Sequence, residues 1–195
     1  MTSAYYNTNA KEFYDGTIDV DMNSLYSRFV PLLPTNANIV DAGCGSGRDT
    51  KYFVSKGFNV TAFDASEKLV ALAEQFTNQV IQHSTFLDFQ SETARFDAIW
   101  ACASLLHVPY NDLARTLSHL SQSLKSGGIF YCSFKYGDNE VERNGRRFTN
   151  LNETELRKLI RDTSLTIEEQ WITSDLRVGR EDEKWLNVIL KKVGK

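Results

Sequence analysis

The chain has 195 residues, 42% of them hydrophobic, enough to bury one substantial core within the size range of a single domain. Its 22 basic and 25 acidic residues leave a net charge of -3, which excludes the basic footprint of a protein that wraps nucleic acid. No stretch approaches the roughly 18 uninterrupted apolar residues of a membrane span, and Met1-Thr2-Ser3-Ala4 opens no basic-then-apolar leader. The expectation is therefore one cytoplasmic domain over 1–195, monomer or homodimer, with no membrane or nucleic-acid partner.

In chain order, Tyr6, Phe13 and Tyr14 come first and suit either an aromatic lid, within about residues 1–34, or an ordinary amphipathic helix packed on a sheet. Leu25, Phe29, Leu32 and Leu33 keep helical spacing until Pro31 and Pro34 end or kink the segment. The core, about 35–195, opens with a strand at Ile39–Ala42 that runs into a glycine turn. A helix starts near Arg48 and stops at Lys56-Gly57, where glycine can take the left-handed conformation that closes it. Val60–Phe63 is a second strand, Leu69, Leu72, Ala73 and Phe76 a second helix of the core, and Val80–His83 a third strand. Asp97–Cys102 reads as the fourth. Leu113, Leu117, Leu120 and Leu124 form a helical stripe ending at Ser126-Gly127-Gly128, before a fifth strand at Ile129–Phe134. Asn152 caps another helix, with Glu155 three places on and Leu151 and Leu156 placed as a hydrophobic staple. Leu165–Ile172 and Trp185–Leu190 are the final strands. Alternating strands and helices predict a mostly parallel sheet covered on both faces, with ligand chemistry at the strands' carboxyl ends.

Cys44, Cys102 and Cys132 are odd in number, widely spaced and set beside apolar segments, so they read as buried thiols; no metal site is expected. Charge is uneven: residues 1–124 carry 8 basic and 13 acidic side chains, residues 125–195 carry 14 and 12, so a later surface would favour an anionic ligand.

The informative segment is Asp41-Ala42-Gly43-Cys44-Gly45-Ser46-Gly47, where a strand gives way to a helix. Its glycines permit positive φ and close approach of a ligand to the backbone. A dinucleotide fingerprint would place the third glycine one residue later, where Arg48 stands. Asp64 closes the second strand and suits a pair of ribose hydroxyls, because a carboxylate accepts at both oxygens. Asp88-Phe89, after the third strand, offers an acceptor for an adenine amino group beside an aromatic flank. Either acid alone is more often a turn or cap residue; their order after the glycine turn favours a nucleoside site.

With these residues in place the sequence resembles the class I methyltransferases that use S-adenosylmethionine (SAM), over nearly its whole length. The resemblance implies an α/β, Rossmann-like sandwich with a seven-stranded, mostly parallel sheet and an antiparallel last strand. It implies SAM as cofactor and S-adenosylhomocysteine (SAH) as product, with cofactor contacts at Asp41, Gly43, Gly45, Gly47, Arg48, Asp64, Ala65, Asp88, Phe89 and Ala103, and at Tyr14 of the lid. Gly45-Ser46-Gly47-Arg48-Asp49 is further similar to the turn of the small bacterial tellurite-resistance methyltransferases.

Methyl transfer from a sulfonium is an in-line displacement, so positioning is the enzyme's chief contribution, and an aromatic, water-poor pocket suits the disappearing charge. His107, after the fourth strand, either takes a proton from the attacking group or orders its loop; an acceptor that arrives as an anion needs no base. Ala103-Ser104-Leu105-Leu106 replaces the Asn/Asp-Pro-Pro-aromatic motif of nucleic-acid amino methyltransferases, which points to a small-molecule acceptor, tellurite-like or another small anion. Tyr6, Arg147 and Arg177 are the expected acceptor contacts. Two alternatives stay open: a catalytically silent SAM-binding regulator and a nicotinamide-dependent oxidoreductase.

Overall fold

Three helices, α1 (Thr2–Thr8), α2 (Ala10–Asp15) and α3 (Asn23–Phe29), precede the sheet in the computed structural model, which describes residues 2–194. The alternation then runs β1 (Asn38–Ala42), α4 (Arg48–Ser55), β2 (Asn59–Asp64), α5 (Glu67–Thr77), β3 (Ile81–His83), β4 (Phe96–Ala101), α6 (Tyr110–Gln122), β5 (Leu124–Lys135). A hairpin of β6 (Glu140–Arg143) and β7 (Arg146–Thr149) follows, then α7 (Glu153–Ile160), β8 (Leu165–Ser174) and β9 (Lys184–Lys192). Seven strands form one sheet in the order β3-β2-β1-β4-β5-β9-β8, with β9 antiparallel to both its neighbours. This is the expected α/β, Rossmann-like arrangement. Chain direction across the sheet reverses between β1 and β4, whose carboxyl ends therefore open a crevice.

Consecutive apolar residues of one strand serve opposite layers, because side chains alternate across the sheet. Val40, Ile99, Phe130 and Cys132 pack with Leu113, Leu117 and Leu120 of α6 and Leu156 of α7. Ile39, Ala98, Trp100 and Tyr131 pack with Tyr26 and Phe29 of α3 and Phe53 of α4. Each such side chain contributes about 1.5–3 kcal/mol when fully buried, so these two layers fix the sheet rigidly beneath the crevice.

The α7 start follows the sequence signal only in part. The Glu155 amide donates to Asn152 Oδ1 at 3.0 Å, but the Glu155 carboxylate accepts instead from Tyr110 and Lys158, so half of the reciprocal cap forms. The stripe ending at Ser126-Gly127-Gly128 is also shorter than expected. Helix α6 stops at Gln122 because the Ser123 carbonyl accepts from the Arg95 and Phe96 amides, which draws Leu124 into the sheet before the glycines. The β6–β7 hairpin is an addition: Asn144 and Gly145 take φ of 51° and 72°, the left-handed pair that a two-residue hairpin turn requires.

Candidate functional site

The glycine turn leaves β1 with the Gly43 and Cys44 amides donating to the Phe63 carbonyl at 2.9 and 3.0 Å. Gly43 and Gly45 have φ of 75° and 56°, and both line the crevice. A Cβ at Gly43 would stand 2.6 Å from Ser104, and one at Gly45 would stand 3.1 Å from Phe13 of α2. Gly47 differs: its φ is 80°, and an added Cβ would meet Thr77 and Ala73 of α5 at about 3 Å, so this glycine serves helix packing. Asp41 is buried behind the turn, accepting from Thr50 Oγ1 at 2.6 Å; burial, then the Asp49 charge, pushes its carboxyl up to about 8.

Arg48 and Asp49 form a pair beside the amino-terminal segment. The Arg48 guanidinium donates to both Asp49 oxygens, at 2.6 and 3.0 Å, and reaches the Thr17 carbonyl at 3.3 Å. Tyr26 Oη and Trp100 Nε1 also donate to Asp49, at 2.5 and 2.8 Å. Burial opposes ionisation of Asp49, yet Arg48 and these donors hold its carboxyl below the usual range. A second tether joins α1 to the start of α5: Asn7 Oδ1 accepts from Ser66 Oγ at 2.7 Å.

Asp64 stands at the end of β2, half-buried, with one oxygen accepting from the Gly45 amide at 2.9 Å and the other from the Ser66 amide at 2.8 Å. Each oxygen keeps further acceptor capacity, and Asp64 and Ala65 line the crevice. The expectation for Asp88-Phe89 needs correction. Asp88 is exposed, outside the crevice lining, and accepts from Thr85 Oγ1 at 2.6 Å, while Phe89 is buried, stacked 4.5 Å from Phe63. Short β3 ends at His83, so the residues that reach the crevice are Ser84, Thr85, Phe86 and Leu87. Tyr14, expected to contact the cofactor, likewise packs edge-on against Phe76 of α5 and does not line the crevice, whereas Phe13 lies against Gly45 and lines it. Helical spacing explains the exchange: adjacent residues of α2 face different neighbours.

Two cavities, of about 480 and 510 Å³, share the lining residues Tyr6, Phe13, Gly43, Gly45, Ala103 and His107, so they are the halves of one cleft. The first contains Asp64, Ala65 and the Ser84–Leu87 segment; the second lies beneath the hairpin and the β8–β9 connection. Ala103 joins them in a left-handed conformation, φ 50°, held by its amide donating to Ser133 Oγ at 2.8 Å. At the junction, Tyr6 Oη lies 2.8 Å from His107 Nε2, and His107 Nδ1 lies 2.7 Å from the Arg147 carbonyl. A carbonyl only accepts, so Nδ1 carries the proton and the Tyr6 hydroxyl donates to Nε2. Burial lowers the His107 pKa to about 4, so the ring is neutral at physiological pH.

The second cavity is basic, lined by Arg48, Lys135, Arg143, Arg146, Arg177 and Arg180 against Asp49, Asp175 and Glu183. Arg177, expected to meet the acceptor, donates to both oxygens of Asp175, at 2.9 and 2.5 Å. Arg147 lines the first cavity, its guanidinium 3.3 Å from Glu140. Ser133 and Lys135 were not anticipated. The Asn144-Gly145 dipeptide, flanked by Val141 and Phe148, was the available signal for the hairpin that carries Arg146.

Residues 14–170 match the family model described as "Methyltransferase domain". Among curated proteins, the chain is similar to malonyl-[acyl-carrier protein] O-methyltransferase of Pseudescherichia vulneris, 35% identical over 96 residues, which are 47% of this chain and 36% of that protein. It thus spans about a third of that relative's length. An uncharacterized methyltransferase of Staphylococcus carnosus is 26% identical over 91% of this chain and 94% of its own. Among solved structures, Burkholderia thailandensis 1,6-didemethyltoxoflavin-N1-methyltransferase, with bound 1,6-didemethyltoxoflavin and S-adenosylhomocysteine, superposes with a TM-score of 0.75 at 21% identity, covering 98% of this chain and 89% of that one.

Proposed function

The chain belongs to the methyltransferase-domain family, the class I fold that uses S-adenosylmethionine, and we propose that it transfers the cofactor's methyl group to a small anionic acceptor. The observation that carries this reading is the division of one cleft into two unlike halves that meet at Tyr6, Phe13, Ala103 and His107.

The first half fits the cofactor. Asp64 accepts from ribose hydroxyls, Phe86 and Leu87 flank the adenine, and Ser84 and Thr85 supply its polar edge. The bare backbone of Gly43 and Gly45 leaves room for the chain that joins nucleoside to amino acid. SAM, when bound, supplies a methyl group on a positively charged sulfur. Phe13 and Tyr6 then give that region aromatic faces, which hold a cation and exclude water.

The second half receives the acceptor. Its excess of arginine and lysine favours an anion, and a tellurite-like oxyanion is one chemical form that suits it. His107 agrees with this choice. Its low basicity makes it a poor proton acceptor, whereas a nucleophile that arrives ionised needs orientation alone. His107 and Tyr6 therefore fix the nucleophile in line with the methyl group.

Calorimetry with SAM, SAH and NAD tests the cofactor half: SAM and SAH bind and NAD does not. Formation of SAH from SAM in a panel of small anions and metabolites, dependent on the pure protein, tests the acceptor half. SAM binding with no turnover on any acceptor in that panel would favour a silent regulator.

A further inference from the structure

Four of the six cations lining the second cavity are already matched within the protein: Arg48 to Asp49, Arg177 to Asp175, and Lys135 and Arg180 to Glu183. Arg143 and Arg146 have no carboxylate partner among the described residues. Arg143 is exposed on β6. Arg146 is half-buried, and its Nε is fully buried without a hydrogen-bond partner. Its guanidinium carbon lies 4.3 Å from the ring centre of Tyr5, 5.2 Å from that of Phe148 and 6.0 Å from that of Tyr6. These rings fix the orientation of the planar fork, whose donors lie along its edge and match a carboxylate or oxyanion.

We propose that Arg146 holds the negatively charged group of the methyl acceptor, a carboxylate or small oxyanion, in the second cavity. The proposal rests on the reading of that cavity as the acceptor site. Tyr6 joins Arg146 to the reaction centre: its ring faces the guanidinium and its hydroxyl donates to His107. An anion bound there is consequently held beside the junction of the two cavities. Arg177 lines the same cavity from within its ion pair with Asp175, while Arg146 makes the contact that selects for charge.

The test is calorimetric titration of SAH-loaded protein, at low ionic strength, with sodium malonate, benzoate, sulfate and tellurite. At least one of these anions binds the wild type, and Arg146→Gln weakens that binding about 10- to 100-fold. Affinity for SAH changes by less than about threefold in the same variant. Arg146→Lys recovers part of the anion affinity, since a point charge lacks the planar fork; it also carries the comparison if Arg146→Gln does not fold. Arg161→Gln, an exposed charge on the far end of α7, alters neither affinity. Absence of anion binding to loaded wild type overturns the proposal, as does unchanged anion affinity in both Arg146 variants. Equal weakening of SAH and anion assigns Arg146 to the cofactor's own carboxylate instead. Failure of the wild type to bind SAH overturns the cofactor reading beneath it.

Discussion

At the residue scale, the two acids that sequence placed on the nucleoside have unequal standing in the fold. Asp64 faces the cleft from a strand end with lone pairs to spare, so Asp64→Ala should weaken SAM binding about 10- to 100-fold in calorimetry. Asp88 is exposed and engaged by Thr85, so Asp88→Asn should leave SAM affinity within about twofold. A larger loss for Asp88→Asn than for Asp64→Ala would reverse the assignment. His107 separates two chemical roles. If it positions an acceptor that is already ionised, His107→Asn lowers kcat/KM by less than about tenfold, and the wild-type profile has no inflection near pH 6.5. A general base would instead contribute about 100-fold or more. Single-turnover rates across pH 5–9 distinguish the two.

At the element scale, the turn between β1 and α4 joins ligand binding to helix packing. Gly43 and Gly45 face the cleft, whereas Gly47 holds the start of α4 against α5. Gly47→Ala places a side chain at φ 80° and about 3 Å from Thr77 and Ala73, so it should cost about 1–3 kcal/mol in urea unfolding. A variant as stable as wild type would show that α5 yields easily. Asp49 performs the matching task on the other side of α4. Its carboxylate gathers Arg48, Tyr26 and Trp100, and Arg48 in turn holds the Thr17 carbonyl after α2. The amino-terminal segment, turn and sheet are thereby joined through one buried acid, which a reading of Arg48 as a ligand contact alone did not anticipate.

At the scale of the whole molecule, pH acts on stability through groups that the fold has shifted. Burial lowers the His107 pKa from its ordinary 6.5 to about 4, so between those values the unfolded chain binds more protons than the folded one. This contribution is fully present above about pH 6.5 and is lost as pH falls toward 4. Asp41 acts oppositely: its raised pKa favours the folded state at lower pH, and that contribution declines as pH rises toward about 8. Comparison of wild type with His107→Asn in urea at pH 4.5, 5.5 and 7 isolates the histidine: the wild type should lose more stability than the variant between pH 7 and 4.5. Equal losses would place His107 in contact with water. The sequence by itself determined the sheet, the glycine turn and the strand-end position of Asp64, because strand periodicity, positive-φ glycines and a strand-end carboxylate are local signals. Only the tertiary structure decided between Phe13 and Tyr14, drew Asp88 away from the cleft, matched Arg177 to Asp175 and left Arg146 without a carboxylate partner among the described residues. Those outcomes depend on which elements meet across the cleft, a long-range property that residue spacing does not encode.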